Sequence, residues 1–361
     1  MVALLMKKEG APLFSEGIPR RGIPSSHPTL PTCSSFIHHL FTVESPLQTV
    51  RRVECYGEDG RKSLAELYRS YMRLTEEYKW DMEWLYSQIR EVSGGASVPI
   101  PILSFRTKVH GPALWVLSGI HGEEPAGPNA IAENIELFAA LGRQGIPMVV
   151  IPLCNPKGYS LNWRFPNTPD RRYKDAENPD GGVSVGDSGH CLPDRRDPSR
   201  SLRAEPASPD AAGLTAGVLR LCSAHPPRLV LDHHEDELVP GCYLYVQRTG
   251  EADDPLSREI LVAMEEAGIP LNRQDKTRFG EPIIRGIVAG DENDDPVQDG
   301  SIDDLLSSPR VLVDGLWQPG PSSPHAFVIE TPAQGLLPAR MRTHTAVFRT
   351  LLRLWEMVED R

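Results

Sequence analysis

The chain has 361 residues, 40% of them apolar, enough for one large α/β domain or two smaller ones with a full hydrophobic core. Its 38 Lys and Arg against 49 Asp and Glu give a formal charge of −11, which argues against nonspecific binding to nucleic acid or anionic membranes. The six cysteines (Cys33, Cys55, Cys154, Cys191, Cys222 and Cys242) show no C-x-x-C spacing, so a thiolate zinc site is not expected and reduced thiols are.

At the N-terminus a short apolar run, Met1 to Met6, precedes Lys7 and Lys8, the reverse of a secretory signal. No stretch approaches the roughly 20 apolar residues of a membrane span. A cytoplasmic protein is expected. Residues 1 to about 60 are rich in Pro, Ser and Gly and read as an irregular arm, with one strand near 49–56. A helix is predicted over 63–92. Ser63 and Glu66 form a capping box, and Leu64, Leu67, Tyr71, Leu74, Tyr78, Leu85 and Ile89 recur at helical spacing. Residues 1–95 are therefore read as an N-terminal extension, and 96–361 as the main domain.

After Gly94 and Gly95 the rhythm changes to short apolar runs alternating with helices. Strands are predicted at 100–105, 113–120, 148–153, 228–232, 242–247, 282–288 and 326–329. Helices are predicted at 127–141, 209–223, 256–267 and 338–357. That alternation is the pattern of a largely parallel sheet covered by helices on both faces. Residues 167–210 break it with a long polar loop, and 290–309 form an acidic insert.

Four predicted strand ends carry unusual chemistry. In the first, Ser118-Gly-Ile-His121-Gly-Glu-Glu124-Pro-Ala-Gly127, an apolar strand runs into a His and a Glu three residues apart. Gly119, Gly122 and Gly127 leave the backbone room for a tight strand-to-helix turn. An imidazole and a carboxylate held this way can supply two ligands to one metal, and open α/β sheets bind ligands at such strand ends. In the second, Leu229-Val-Leu-Asp232-His-His234-Glu-Asp, alternation puts Asp232 and His234 on one face of the strand. His234 can bind metal while Asp232 orients a ligand from behind. The adjacent His233 is a competing third ligand. Two His and one Glu with an open fourth position is the arrangement of catalytic zinc.

The third, His325-Ala-Phe-Val-Ile-Glu330-Thr-Pro, ends a strand with a carboxylate suited to taking a proton from water. The fourth, Cys154-Asn155-Pro-Lys-Gly158, leads on to Arg164, Arg171 and Arg172. Arginines beside a metal centre in an acidic protein point to recognition of an anion.

In this order the four motifs resemble the M14 metallocarboxypeptidase superfamily, which includes the aspartoacylase and succinylglutamate desuccinylase deacylases. The resemblance spans roughly residues 98–355. It implies a mixed, mainly parallel sheet of about eight strands between helices, and one Zn2+ ion held by His121, Glu124 and His234. It makes Glu330 the general base and Arg164 the residue that polarises the scissile carbonyl. Arg172, with Arg171 and Asn155, would bind the substrate, a peptide or N-acyl amino acid with a free carboxylate. The family's usual Asn-Arg pair is replaced here by Arg171-Arg172, and Asp194-Arg195-Arg196 is a second candidate for that role. Tyr243 and Tyr245 follow the His strand without an assigned part. The resemblance leaves three functions open: a carboxypeptidase-like exopeptidase, an N-acyl amino acid deacylase, or a non-catalytic ligand-binding protein.

Overall fold

The computed structural model describes residues 60–91, 95, 97–166, 189–195, 197–247, 254–277, 280–288 and 300–359. The arm before residue 60, its strand near 49–56, Arg171 and Arg172 lie outside them. Helix α1, Leu64–Glu76, starts as expected: the Ser63 hydroxyl accepts from Glu66 N–H, and the Glu66 carboxylate accepts from Ser63 N–H at 2.7 Å. It buries Leu64, Leu67, Tyr68, Tyr71, Met72 and Leu74.

The helix does not continue to residue 92. Lys79 takes a left-handed turn (φ 63°), and Asp81–Glu91 form strand β1. Leu85 and Ile89 fit a helical stripe by coincidence. In the strand Gln88 and Arg90 are buried while Ile89 between them is 49% exposed, a period of two. Trp80, Trp84 and Tyr86 carry the aromatic enrichment of a strand, which the longer stripe masked.

The remaining elements follow in order: β2 (Ser97–Arg106), β3 (Ala113–Ser118), α2 (Ala126–Glu133), α3 (Ile135–Arg143), β4 (Met148–Ile151), α4 (Pro156–Leu161), α5 (Pro209–Cys222), β5 (Pro227–Asp236) and β6 (Tyr243–Gln247). Then come α6 (Pro255–Glu266), β7 (Gln274–Lys276), β8 (Pro282–Ile284), β9 (Ile287–Val288), α7 (Ile302–Ser307), β10 (Arg310–Val313), β11 (Leu316–Pro319), β12 (His325–Pro332) and α8 (Leu337–Glu359). The single helix expected over 127–141 is two, broken at Asn134, whose amide donates to Ala130 O and to Thr345 Oγ1 in α8. The strand expected over 282–288 is a short hairpin, β8–β9. No described helix is long and apolar enough to cross a membrane.

The main sheet has ten strands, ordered β1-β2-β4-β3-β5-β12-β6-β9-β8-β7. Beyond the seven strands read from the sequence after Gly95, it gains β1, β7 and the division of 282–288 into β8 and β9. The central four, β4-β3-β5-β12, are parallel; β2 and β6 flank them antiparallel, and β1 pairs antiparallel with β2 at the edge. Alternate residues feed two cores. Leu114, Val116, Leu229, Leu231, Phe327 and Ile329 pack under α1, α2, α3, α6 and α8. Trp115, Leu117, Val230 and Ala326 face α5 and α7 on the other side. The central strands are therefore apolar on both faces, and their polar residues gather at the carboxyl ends.

Helix α5 is pressed onto β1 at Gly213, where an added Cβ would lie 2.1 Å from the Tyr86 ring. Helix propensity alone predicts that Gly213→Ala gains about 1 kcal/mol. The packing predicts the opposite sign, a loss of about 1–3 kcal/mol from overfilling. Urea unfolding of the variant distinguishes the two.

Candidate metal centre

Strand β3 leaves the sheet at Ser118 and turns at Gly119 (φ 65°). The chain then passes so close to α4 that a Cβ on Gly122 would sit 2.0 Å from the Gly158 carbonyl carbon. This compression aims His121 and Glu124 at the end of β5. His121 Nδ1 lies 2.7 Å from Glu124 Oε1 and 3.1 Å from His234 Nδ1. His234 Nδ1 is 3.1 Å from Glu124 Oε2. The structure thus brings His121, Glu124 and His234 together, and all three are buried or nearly so.

Donor atoms 2.0–2.2 Å from one tetrahedral ion lie about 3.3–3.5 Å apart. The three separations, 2.7, 3.1 and 3.1 Å, are shorter than that by about 0.2–0.8 Å, so an outward movement of that size would admit an ion. The electrostatics agree. Burial pushes the Glu124 carboxyl up, but the His121 and His234 imidazoles together hold it well below the usual carboxylate range. Burial pushes the His234 imidazole down, yet Asp232 and Glu124 raise it well above its ordinary value. Carboxylates that favour a proton on His234 also favour a metal cation.

Asp232 is completely buried, and its Oδ2 lies 3.2 Å from His234 Nε2, a charge contact rather than an aligned hydrogen bond. It stands where it can orient the imbedded imidazole from behind. His233 points to the opposite face. Its Nδ1 meets His344 Nδ1 of α8 at 2.9 Å, and its ring packs 4.6 Å from Phe348. Burial holds the His233 imidazole well below its ordinary range and pushes His344 down to about 3, so both are neutral packing groups. Of the two adjacent histidines, His234 is the one in the cluster.

Glu330 on β12 is register-paired with His234 on β5 and with Tyr243 on β6, so its side chain shares their face of the sheet. It is 9% exposed, and its Oε2 has no hydrogen-bond partner among the described residues. Burial pushes its carboxyl well up. His234 and Arg164 pull it back, while Glu124 and Asp236 push it further. Arg164 Nη1 approaches Glu124 Oε1 at 3.2 Å and Glu123 Oε1 at 3.7 Å.

Asn155, expected to bind substrate, spends its amide on the protein. Its Oδ1 accepts from Gly158 N at 2.9 Å and Gln88 Nε2 at 3.0 Å, and its Nδ2 donates to Arg164 O at 3.0 Å. It holds the loop that carries Arg164. Arg195 of the second Asp-Arg-Arg donates to Gln247 Oε1 at 2.8 Å and Asp304 Oδ1 at 3.2 Å. Tyr243 donates to Asp236 Oδ2 at 2.6 Å, and Tyr245 to Glu281 Oε2 at 3.1 Å.

One supporting pair had no local signal in the sequence. Glu235 N–H donates to Glu124 Oε2 at 3.2 Å, and the Glu235 carboxylate accepts from Arg340 of α8 at 2.5 Å. The two residues are 105 positions apart and both buried. Burial raises the Glu235 carboxyl to about 7 despite the guanidinium.

No protein-family model matches the chain, and no curated protein does. Solved structures do. A candidate metallopeptidase from Shewanella amazonensis superposes with a TM-score of 0.57 at 18% identity, covering 84% of this chain and 97% of its own. Those from Shewanella baltica and Shewanella denitrificans give 0.56 and 0.55, each at 18% identity, covering 80% and 86% of this chain and 91% and 97% of their own. The chain shares the fold of these three proteins, a mixed, largely parallel sheet between helices as the four motifs imply.

Metal content after loading and dialysis checks the cluster. One divalent ion per chain is expected for the parent protein. His234→Ala or Glu124→Gln removes it, and His233→Ala retains it. Loss in His233→Ala with retention in His234→Ala would reverse the assignment.

Proposed function

We propose that the protein is a zinc-dependent hydrolase that cleaves an amide bond next to a free carboxylate, in the manner of a metallocarboxypeptidase. The observation that carries this reading is Glu330: a buried carboxyl with an oxygen unpartnered among the described residues, on the same sheet face as His234 of a His-Glu-His cluster. His121, Glu124 and His234 would hold the ion, and two imidazoles with one carboxylate suit zinc. When bound, the ion supplies Lewis acidity, which acidifies water and polarises a carbonyl.

The chain's own residues then divide the work. Glu330 accepts the proton of the attacking water and returns it to the leaving amine. A carboxyl raised by burial is suited to both, since its pKa moves toward the operating pH. Arg164 offers a guanidinium to the oxyanion that develops on the carbonyl, a preorganised donor in a dry site. That guanidinium lies 3.2 Å from Glu124 Oε1, a contact that keeps it at the centre. Asp232 fixes the orientation of His234. Arg172 and Arg171 grip the substrate carboxylate, for which a planar two-pronged donor is suited.

The substrate is a peptide or an N-acyl amino acid. Glu330→Gln should keep its metal and lose about 10²- to 10⁴-fold in kcat. Undiminished turnover in that variant removes Glu330 from the chemistry. Amidating the C-terminal carboxylate of a peptide substrate should abolish cleavage if the protein is an exopeptidase. Turnover of N-acyl amino acids with no cleavage of longer peptides would instead make it a deacylase. Absence of any chelator-sensitive hydrolysis on both substrate sets would leave a binding protein.

A further inference from the structure

Between His121 and Glu124 lie two peptide carbonyls, those of Gly122 and Glu123. Both face Arg61, just upstream of α1. Arg61 Nη1 donates to Gly122 O at 3.0 Å and makes a longer contact to Tyr159 O at 3.5 Å. Its Nη2 donates to Glu123 O at 3.5 Å and closely to Asn162 Oδ1. The guanidinium also lies over the Tyr159 ring, 5.1 Å from its centroid. Asn162 takes a left-handed conformation (φ 51°) two residues before Arg164. One side chain therefore touches the turn that carries two ligand candidates and the loop that carries Arg164.

The backbone beside it is fixed on the same elements. Lys62 N donates to Asn129 Oδ1 of α2 at 2.9 Å. The Tyr159 hydroxyl of α4 donates to Lys62 O at 2.7 Å and accepts from Asn129 Nδ2 at 2.9 Å. A planar guanidinium with five donors can serve several acceptors in one plane, whereas an ammonium presents a single point. The geometry suits arginine at this position.

We infer that Arg61 is a positioning residue for the metal centre. It turns the 122 and 123 carbonyls outward, so the side chains of His121 and Glu124 turn inward together, and it locks that turn to the Arg164 loop. The segment before α1 is then a working part of the site, although it lies outside the stretch that resembles the metallocarboxypeptidases. The inference rests on the metal reading above and extends it to a residue that contacts neither ion nor substrate.

Arg61→Ala and Arg61→Lys in the full chain test it by two readouts. In chelator competition, Arg61→Ala should bind zinc about 10- to 100-fold more weakly, the size of effect seen when outer supports of a ligand are removed. Arg61→Lys should recover only part of that, and millimolar guanidinium should partly restore the alanine variant. In metal-free protein, amide exchange should quicken over 119–125 and 158–164 and stay unchanged in α8. Unaltered zinc affinity and exchange would overturn the inference. Exchange rising equally in α8 would also overturn it, by showing general destabilisation. If the alanine variant does not fold, the lysine variant decides on the same two readouts. If the parent chain binds no zinc, the metal reading fails, and the exchange comparison still judges Arg61.

Discussion

Two imidazole nitrogens and a carboxylate packed within about 3 Å of one another, away from water, need positive charge among them. Here the atoms are His121 Nδ1, His234 Nδ1 and the Glu124 oxygens, with Asp232 behind and Glu330 beside them. Without an ion, a proton on His234 can supply that charge, which is why its imidazole is raised while Glu124 is lowered. A divalent ion meets the same demand more fully. The rest of the architecture serves to hold these groups close against their mutual cost.

The alternation of β5 and β12 does most of this placement. On β5, Leu229, Leu231 and His233 face the α8 side, and Val230, Asp232 and His234 face the other. The same parity on β12 puts Ile329 in one core and Glu330 above the cluster. A one-residue slip would exchange His233 for His234 and bury the site in the wrong layer. Such a slip is opposed by the apolar residues below it, which fill both cores. The glycines at 119 and 122 complete the placement from β3, because a side chain at either would collide with its neighbours.

Much of this was legible in the sequence because it is local. A strand running into polar residues, a His and a Glu three apart, and an Asp-x-His alternation are short-range patterns, and the ends of β3 and β5 that carry them meet in the cluster. Alternation puts His233 and His234 on opposite faces but leaves open which one meets His121; the position of His234 in the cluster is visible only in the fold. The stretch 78–91 was misread because Tyr78, Leu85 and Ile89 match a helical stripe, while the buried members of the actual strand include Gln88 and Arg90, which no hydrophobic pattern reveals. The hold of Asn155 on the backbone was not legible, because only its partners in the fold show it. The Glu235–Arg340 pair and Arg61 were invisible because their partners lie 105 and 61 or more residues away.

The most direct test of the cluster is X-ray absorption of the zinc-loaded protein. A shell of nitrogen and oxygen alone, at about 2.0–2.2 Å, with the outer scattering of two imidazoles, is the predicted spectrum. A sulfur shell at about 2.3 Å, or a spectrum lacking imidazole scattering, would place the ion elsewhere and contradict the assignment of His121, Glu124 and His234.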